Sequence, residues 1–252
     1  MQRVAVVTGA SSGIGAATAR RLAAEGFHLV LGARRLPLLR EVGEPLGARC
    51  IPLDVTDPAS VATFCEAVGD TVHVLVNNAG GARGLDPVRS ASDADWAWMY
   101  DANVLGTLRM TRGLLPALEA SAGHIVMMGS VPGFEPYPGG AGYNAAKFAL
   151  RAMTRVLRME LLGVPVRLTE IDPGMVAETE FSLVRFGGDE SRAAKVYEGV
   201  EPLTADDVAD CVAFAVTRPP HVNIDEIVVK PLDQANVRMV HRRPAAPQEG
   251  AR

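Results

Sequence analysis

Tyr143 and Lys147 lie four residues apart in Gly-Tyr-Asn-Ala-Ala-Lys. On a helix that spacing puts both side chains on one face. An ammonium beside a phenol favours the ionised phenol, and a phenol drawn down from its usual value near ~10 becomes a competent acid and base at neutral pH. A solvated helix face would show the same spacing, so the pair needs support from elsewhere in the chain. That support starts at the other end, in Val-Ala-Val-Val-Thr-Gly-Ala-Ser-Ser-Gly-Ile-Gly-Ala-Ala-Thr-Ala-Arg-Arg-Leu. The β-branched run Val4 to Val7 predicts a strand, and the stretch from Ala16 to Leu22 predicts a helix. Between them Gly9 permits a tight turn, while Gly13 and Gly15 let phosphates approach backbone amides at the helix N-terminus. The pattern is Gly-x-x-x-Gly-x-Gly, which departs from the general Gly-x-Gly-x-x-Gly dinucleotide fingerprint.

The elements that must position these residues recur along the chain. Strands are predicted over Val4 to Thr8, His28 to Gly32, Arg49 to Pro52, Val72 to Asn77, Gly123 to Met128, Val166 to Ile171 and Ile224 to Val229. Helix-length segments separate them, which implies right-handed crossovers and a parallel sheet covered on both faces. The expected class is α/β, a Rossmann-type doubly wound sheet in one domain over residues 1–240, with a frayed tail over 241–252 that has little apolar to bury.

With these stretches side by side the chain resembles the classical short-chain dehydrogenase/reductase family. The resemblance rests on Thr8-Gly-Ala-Ser-Ser-Gly-Ile-Gly15, Asn77-Asn-Ala-Gly80, Asn103, Ser130, Tyr143-x-x-x-Lys147 and Pro173-Gly174, and runs from about Arg3 to Gln234. The segments Glu170 to Gly188 and His221 to Ile227 resemble the branch of NADP-dependent 3-hydroxy acid dehydrogenases acting on serine and allo-threonine. The resemblance implies a catalytic set of Asn103, Ser130, Tyr143 and Lys147. Tyr143 would be the proton donor in carbonyl reduction and Ser130 would hydrogen-bond the substrate oxygen. Lys147 would shift Tyr143 and hold ribose hydroxyls, and Asn103 would help place Lys147 through a water. Read without the family, Ser130 is a turn serine before Pro132-Gly133.

For the cofactor the resemblance implies Gly9, Ser11, Ser12, Gly13, Ile14 and Gly15 around the phosphates and Asp54 and Val55 at the adenine. Asn77, Ala79 and Gly80 would lie along the adenosine ribose, and Pro173, Gly174, Val176 and Thr179 along the nicotinamide and pyrophosphate, beside Tyr143 and Lys147. Asp54 could equally cap a helix, since Asp-x-x-Asp-Pro opens many. Arg34 and Arg35 follow the second strand, where dinucleotide folds usually carry an acid for the ribose 2′-hydroxyl. Two guanidiniums there would grip a 2′-phosphate, which points to NADP(H).

Other classes are poorly served. Net charge is −4 and the Arg pairs are dispersed, so there is no nucleic-acid footprint. The five histidines lie far apart without metal-ligand spacing, so no metal is expected. Cys50, Cys65 and Cys211 lack paired spacing, and together with a strand beginning almost at Met1 they suggest a cytoplasmic protein without a membrane span. A homo-oligomer, dimer or tetramer, is implied by the resemblance. Trp96 and Trp98 suit packing or a subunit interface, and Phe181 to Leu203, with Gly187-Gly188, suits a mobile lid. Arg185, in that lid, could meet an acidic substrate, or it could be solvated or pair with Asp189 or Glu190. Gly9-Ala-Ser-Ser-Gly13 also matches a hydrolase nucleophile elbow at Ser11, but such an elbow follows several strands rather than the first. The remaining alternatives are a reductase of a ketone or aldehyde in secondary metabolism and a non-catalytic NADP-binding regulator on the same fold.

Overall fold

The computed structural model describes residues 3–243. Seven strands are present among them: β1 Val4–Thr8, β2 His28–Ala33, β3 Arg49–Pro52, β4 Val74–Asn77, β5 His124–Met128, β6 Arg167–Pro173 and β7 Glu226–Val229. All pair in parallel, in the order β3-β2-β1-β4-β5-β6-β7. Each expected strand is present, with ends displaced by at most two residues. The order reverses between β1 and β4, and in such sheets that switch point opens a crevice at the carboxyl ends of the strands.

Strand residues are apolar on both faces because helices cover both. On one face Ala5, Val7, Leu29, Leu31, Val126 and Ile171 pack against α1 (Gly13–Ala24), α2 (Leu36–Gly43) and α9 (Ala205–Val216). On the other, Val6, Val30, Leu75, Ile125, Met127 and Leu168 pack with Phe64, Leu114 and Leu150 from α3 (Pro58–Val68), α5 (Gly106–Ala120) and α6 (Ala141–Glu160). The two lists alternate along each strand, as a period of two demands.

Local signals set the helix starts. Asp57 accepts from Ala59 N at 2.9 Å and Pro58 opens α3; Ser92 accepts from Asp95 N at the start of α4 (Asp93–Tyr100); Thr204 and Asp207 form a reciprocal capping box on α9. After α4 the chain widens into a π-helical turn over Asp101–Leu105, which carries Asn103. Two short helices, α7 Phe181–Arg185 and α8 Glu190–Lys195, follow β6.

The expected tail falls mostly outside the described residues. Its first three residues are held by polar contacts rather than apolar burial. His241 N donates to Asp233 O at 2.8 Å, and Arg243 donates to Asp233 Oδ2 at 3.0 Å and Glu201 Oε2 at 3.2 Å. Among the described residues no helix is long and apolar enough to cross a membrane.

His124 is a structural histidine at the start of β5, fully buried. The Thr169 hydroxyl donates to Ile224 O at 2.6 Å, so His124 Nε2 must donate to Thr169 Oγ1 at 2.7 Å, leaving Nδ1 without a partner. Burial, with Arg167 nearby, lowers its pKa to about 3. The folded state therefore refuses a proton that the unfolded chain accepts below its ordinary value of about 6.5. Stability from this group is whole above that value and drains as pH falls toward 3. Urea melts at pH 7 and pH 5 are expected to show a loss of roughly 1–2 kcal/mol from His124, absent from the pH difference in His124→Gln.

Candidate active site

The carboxyl ends of β1, β2, β4, β5 and β6 border one cleft of about 690 Å³, in the range of cofactor and ligand sites. Its floor is the turn from β1 into α1. Gly9 and Gly13 adopt left-handed φ of 65° and 51°, which a residue with a Cβ takes at a cost. A Cβ at Gly15 would collide with Gly9 O, so the third glycine lets the helix press against the turn. Asn78 Nδ2 ties that turn down, donating to Thr8 O at 2.9 Å and Gly9 O at 3.3 Å. Ser12 makes no side-chain cap on α1. The first-turn amides of a twelve-residue helix are thus left for an anion.

Around this floor the predicted cofactor residues converge. Ser11, Ser12, Gly13, Ile14, Arg34, Arg35, Asp54, Val55, Ala79, Gly80, Pro173, Gly174, Val176 and Thr179 all line the cleft. Asp57, not Asp54, caps α3. Asp54 Oδ1 instead accepts from Thr56 N at 2.9 Å and Thr56 Oγ1 at 2.7 Å. Burial alone would raise its pKa, but these bonds and nearby Arg34 hold it below the usual value. Arg35 donates through Nη1 to Glu180 Oε1 at 2.8 Å and through Nη2 to Glu180 Oε2, while Ser12 Oγ donates to the same carboxylate at 2.7 Å. A guanidinium and a serine thus hold one carboxylate at this corner, as charge-assisted hydrogen bonds favour. Ser11 Oγ lies 3.4 Å from Arg35 Nη2, and a cation is no base for a nucleophilic serine.

The residues with proton chemistry stand at the other end of the cleft. Tyr143 and Lys147 leave α6 on one face as expected, both buried, at 7% and 6% exposure. Lys147 Nζ donates to Met128 O at 2.7 Å and lies 5.7 Å from the centre of the Tyr143 ring. Ser130, just past β5, donates through Oγ to Pro173 O at 3.3 Å, and its backbone N donates to Asp172 Oδ1 at 2.8 Å. Burial pushes the Tyr143 phenol above its ordinary value; Ser130 and Arg185 oppose this, and Tyr137 and Asp172 reinforce it. Burial also lowers Lys147 to about 8, against the pull of Asp172 and Glu170. The phenol is thus raised rather than drawn down: desolvation is the largest cause, and Lys147, its ammonium turned to a carbonyl, is not among the groups that oppose it.

Three predicted residues do not face the cleft. Gly15 lies beneath the turn, in a packing role. Asn77 is the last residue of β4 and points into the core, donating to Thr111 Oγ1 at 3.0 Å. Its neighbour Asn78 takes the cleft-lining place, because side-chain direction alternates along a strand. Asn103 spends its side chain on the backbone: Nδ2 donates to Met99 O at 2.7 Å and Gly81 O at 2.9 Å, and Oδ1 accepts from Gly81 N at 3.2 Å. It shapes the loop after β4 and makes no direct contact with Lys147.

A roof closes the cleft from β6 onward. Phe181 meets Tyr143 edge-on at 5.3 Å. Tyr197 Oη donates to Val176 O at 2.8 Å and lies 2.9 Å from Ser182 Oγ. Arg185 is neither solvated nor paired with Asp189 or Glu190. Its Nε donates to Gly84 O at 2.9 Å, its Nη1 to Tyr137 Oη at 2.6 Å, and its buried Nη2 has no partner. Gly187 and Gly188, at φ 62° and 93°, end this roof with nothing packed on them. Trp96 packs against Gly142, whereas Trp98 lines the cleft with the Arg83 guanidinium 4.1 Å above its ring. Tyr137, at the end of a stretch Val131 to Tyr137 that the sequence marks for specificity, also lines it, as do Glu180 and Gln234, whose place beside the motifs is their only signal.

Residues 3–185 match the family model described as short chain dehydrogenase. An uncharacterized oxidoreductase of Mycobacterium tuberculosis is 58% identical over 236 residues, 93% of this chain and 93% of that protein. An NADP-dependent 3-hydroxy acid dehydrogenase of Salmonella typhi is 39% identical over 246 residues, 95% of this chain and 99% of its own. Among solved structures, the closed form of a serine dehydrogenase complexed with NADP+ superposes with a TM-score of 0.90 at 38% identity, covering 95% of this chain and 100% of that one. Glycine turn, tyrosine–lysine helix and sheet order thus agree with the match along the sequence, and the chain belongs to the short-chain dehydrogenase family.

Proposed function

We propose that the chain is an NADP(H)-dependent oxidoreductase that interconverts a carbonyl and a secondary alcohol, with Tyr143 as the proton-transfer residue and an acidic small molecule as substrate. The observation that carries this is the convergence of Tyr143, Ser130 and Lys147 at one end of a cleft whose other end is an anion-binding turn. NADP(H), when bound, supplies or accepts the hydride. The α1 amides and Ser12 suit its pyrophosphate, Arg34 and Arg35 a 2′-phosphate, Asp54 the adenine, and Lys147 the nicotinamide ribose.

The phenol raised by burial is a neutral O–H at pH 7, which is the form a reduction needs in its acid. Ser130 Oγ, held by Pro173 O and a backbone pinned by Asp172, offers a hydrogen bond to the substrate oxygen as negative charge gathers there. Phe181 and the apolar roof exclude water from Tyr143. Lys147 keeps a positive charge close to the oxygen that Tyr143 loses its proton from. Exposed Phe148, Val156 and Met159 form an apolar stripe on α6 that supports assembly into dimers or tetramers, readable as a mass in solution. Three free cysteines are in keeping with a cytoplasmic setting.

Arg185 supports the acidic substrate. It is a guanidinium with an unpartnered buried Nη2, lining the cleft close enough to Tyr143 to lower its pKa. A buried donor without a partner is costly, and a carboxylate entering the cleft would satisfy it bidentately. The relatives named for 3-hydroxy acids and serine act on carboxylates, in agreement with this reading.

Tyr143→Phe is expected to lower turnover by about 10² or more while leaving NADPH affinity nearly unchanged; steady-state rates with near wild-type values would end the assignment. Replacing Arg34 and Arg35 by neutral residues is expected to weaken NADPH about tenfold or more and to spare NADH. Fluorescence titration with both cofactors measures this. Arg185→Ala is expected to raise KM about tenfold or more for 3-oxo acids and semialdehyde acids, with neutral ketones little affected. Equal effects on both classes would make Arg185 a roof residue and nothing more.

A further inference from the structure

Behind Ser130 and Lys147, β6 lays two carboxylates on the face that α6 covers. Glu170 and Asp172 are two residues apart on the strand and so point the same way. They are 2% and 0% exposed. Both crowd one point of backbone: a Cβ at position 129 would collide with Asp172 Oδ1 and stand 2.8 Å from Glu170 Oε1, so Gly129 is what lets the acids reach the end of β5. That point lies between Met128, whose carbonyl takes the Lys147 ammonium, and Ser130, whose amide takes Asp172 Oδ1.

The charged groups facing the pair can be named element by element. From α6 come Lys147 and Arg151, with Arg155 further along at 3.9 Å from Glu226; from β7 comes Glu226; Tyr143, with Tyr137 and Arg185 around it, closes the cleft side. Arg151 Nη1 lies 3.0 Å from Asp172 Oδ2 and 3.8 Å from Glu170 Oε1, and its Nη2 donates to both oxygens of Glu226 at 2.6 Å. Glu170 Oε1 has no hydrogen-bond partner. Arg151 is thus largely committed to Glu226 and Asp172, and Glu170 is left with the 3.8 Å approach of Arg151 Nη1 and no hydrogen bond on Oε1. Two buried carboxylates this close do not both ionise at low cost.

We propose that Glu170 and Asp172 share a single proton, Asp172 being the charged member, and that the pair acts as a positioning element that fixes the Ser130 backbone and keeps Lys147 an ammonium. The roles of Ser130 and Lys147 in this inference rest on the function proposed above. Burial, reinforced by Asp172, raises Glu170, in line with a neutral acid at pH 7. Asp172 is likewise raised by burial but is drawn back by Arg151. Lys147, at about 8, stands where one neighbouring charge decides its protonation, and Asp172 is the largest influence holding its proton on.

The test reads Lys147 without using turnover. Acylation of Lys147 in the full-length protein by an amine-specific reagent, followed by peptide mass spectrometry across pH, gives its titration midpoint. Replacing both acids, Asp172→Asn together with Glu170→Gln, is expected to move that midpoint down by about one pH unit or more, because no carboxyl is then left to take up the negative charge. Glu170→Gln, which replaces a neutral acid by a neutral amide, is expected to leave it within a few tenths of a unit below pH ~8. Infrared spectra of the unmodified protein at pH 7 are expected to show a buried protonated-carboxyl stretch that disappears in Glu170→Gln. An unmoved midpoint in the folded double variant, or absence of that stretch, would overturn the proposal, and the infrared arm decides alone should the double variant not fold. A midpoint that moves while the alkaline limb of kcat/KM stays in place would leave the carboxyl pair standing and remove Lys147 from the catalytic reading.

Discussion

A single ammonium, driven into the protein on the first third of α6, sets the geometry of everything around it. Lys147 is 6% exposed and makes one protein hydrogen bond, to Met128 O at the end of β5. A buried cation with one neutral partner is expensive, so it survives only where other groups lower its cost. Chief among those groups is Asp172 on β6, and to place it the sheet must run β5 beside β6 with α6 across both. α6 is pressed so closely onto its surroundings that a Cβ at Gly133 would stand 3.3 Å from Lys147 O. Tyr143, one turn before Lys147, then has no freedom: its ring stands in the cleft with Phe181 on its edge.

Two opposing effects meet at the phenol. Burial favours its neutral form, and Arg185 and Ser130 favour its anion. Of the two, burial wins. Arg35 is already engaged with Glu180 and Ser12 and is not among the groups that shift Tyr143. The consequence is a site whose acid is protonated at neutral pH and whose conjugate base gains support only from charges arranged beside it, which is the preorganisation that proton transfer in a dry cleft requires.

Much of this could be read from residues alone, for identifiable reasons. β1, the glycine turn and α1 are contiguous, so their pattern is local. Tyr143 and Lys147 share a helix, so helical periodicity fixes their common face. What was hidden depended on the third dimension or on burial. Whether Asn77 or Asn78 faces the cleft depends on which parity the sheet presents at the end of β4, and a one-residue change of phase exchanges them. Asn103 is polar and near the site, yet the π-helical turn over Asp101–Leu105 aims it at Gly81. The direction of the Tyr143 shift could not be inferred from a lysine four residues away, because the dominant cause is removal from water. Glu170 and Asp172 lay in plain sight within a predicted strand, but only their common approach to Gly129 makes them a pair.

The ion pair between Arg35 and Glu180 joins segments 145 residues apart and links the two ends of the cleft. Glu180 immediately precedes α7, the helix that carries Phe181 against Tyr143 and Arg185 against Tyr137. The corner suited to a 2′-phosphate is therefore continuous with the roof over the reacting end. Side chains here are 47% and 40% exposed, and exposed ion pairs are worth only about 0–1 kcal/mol. A dianionic phosphate offers Arg35 a stronger partner than a single carboxylate does. Glu180, which no local motif singles out, is thus the residue that joins the Arg35 corner to the roof.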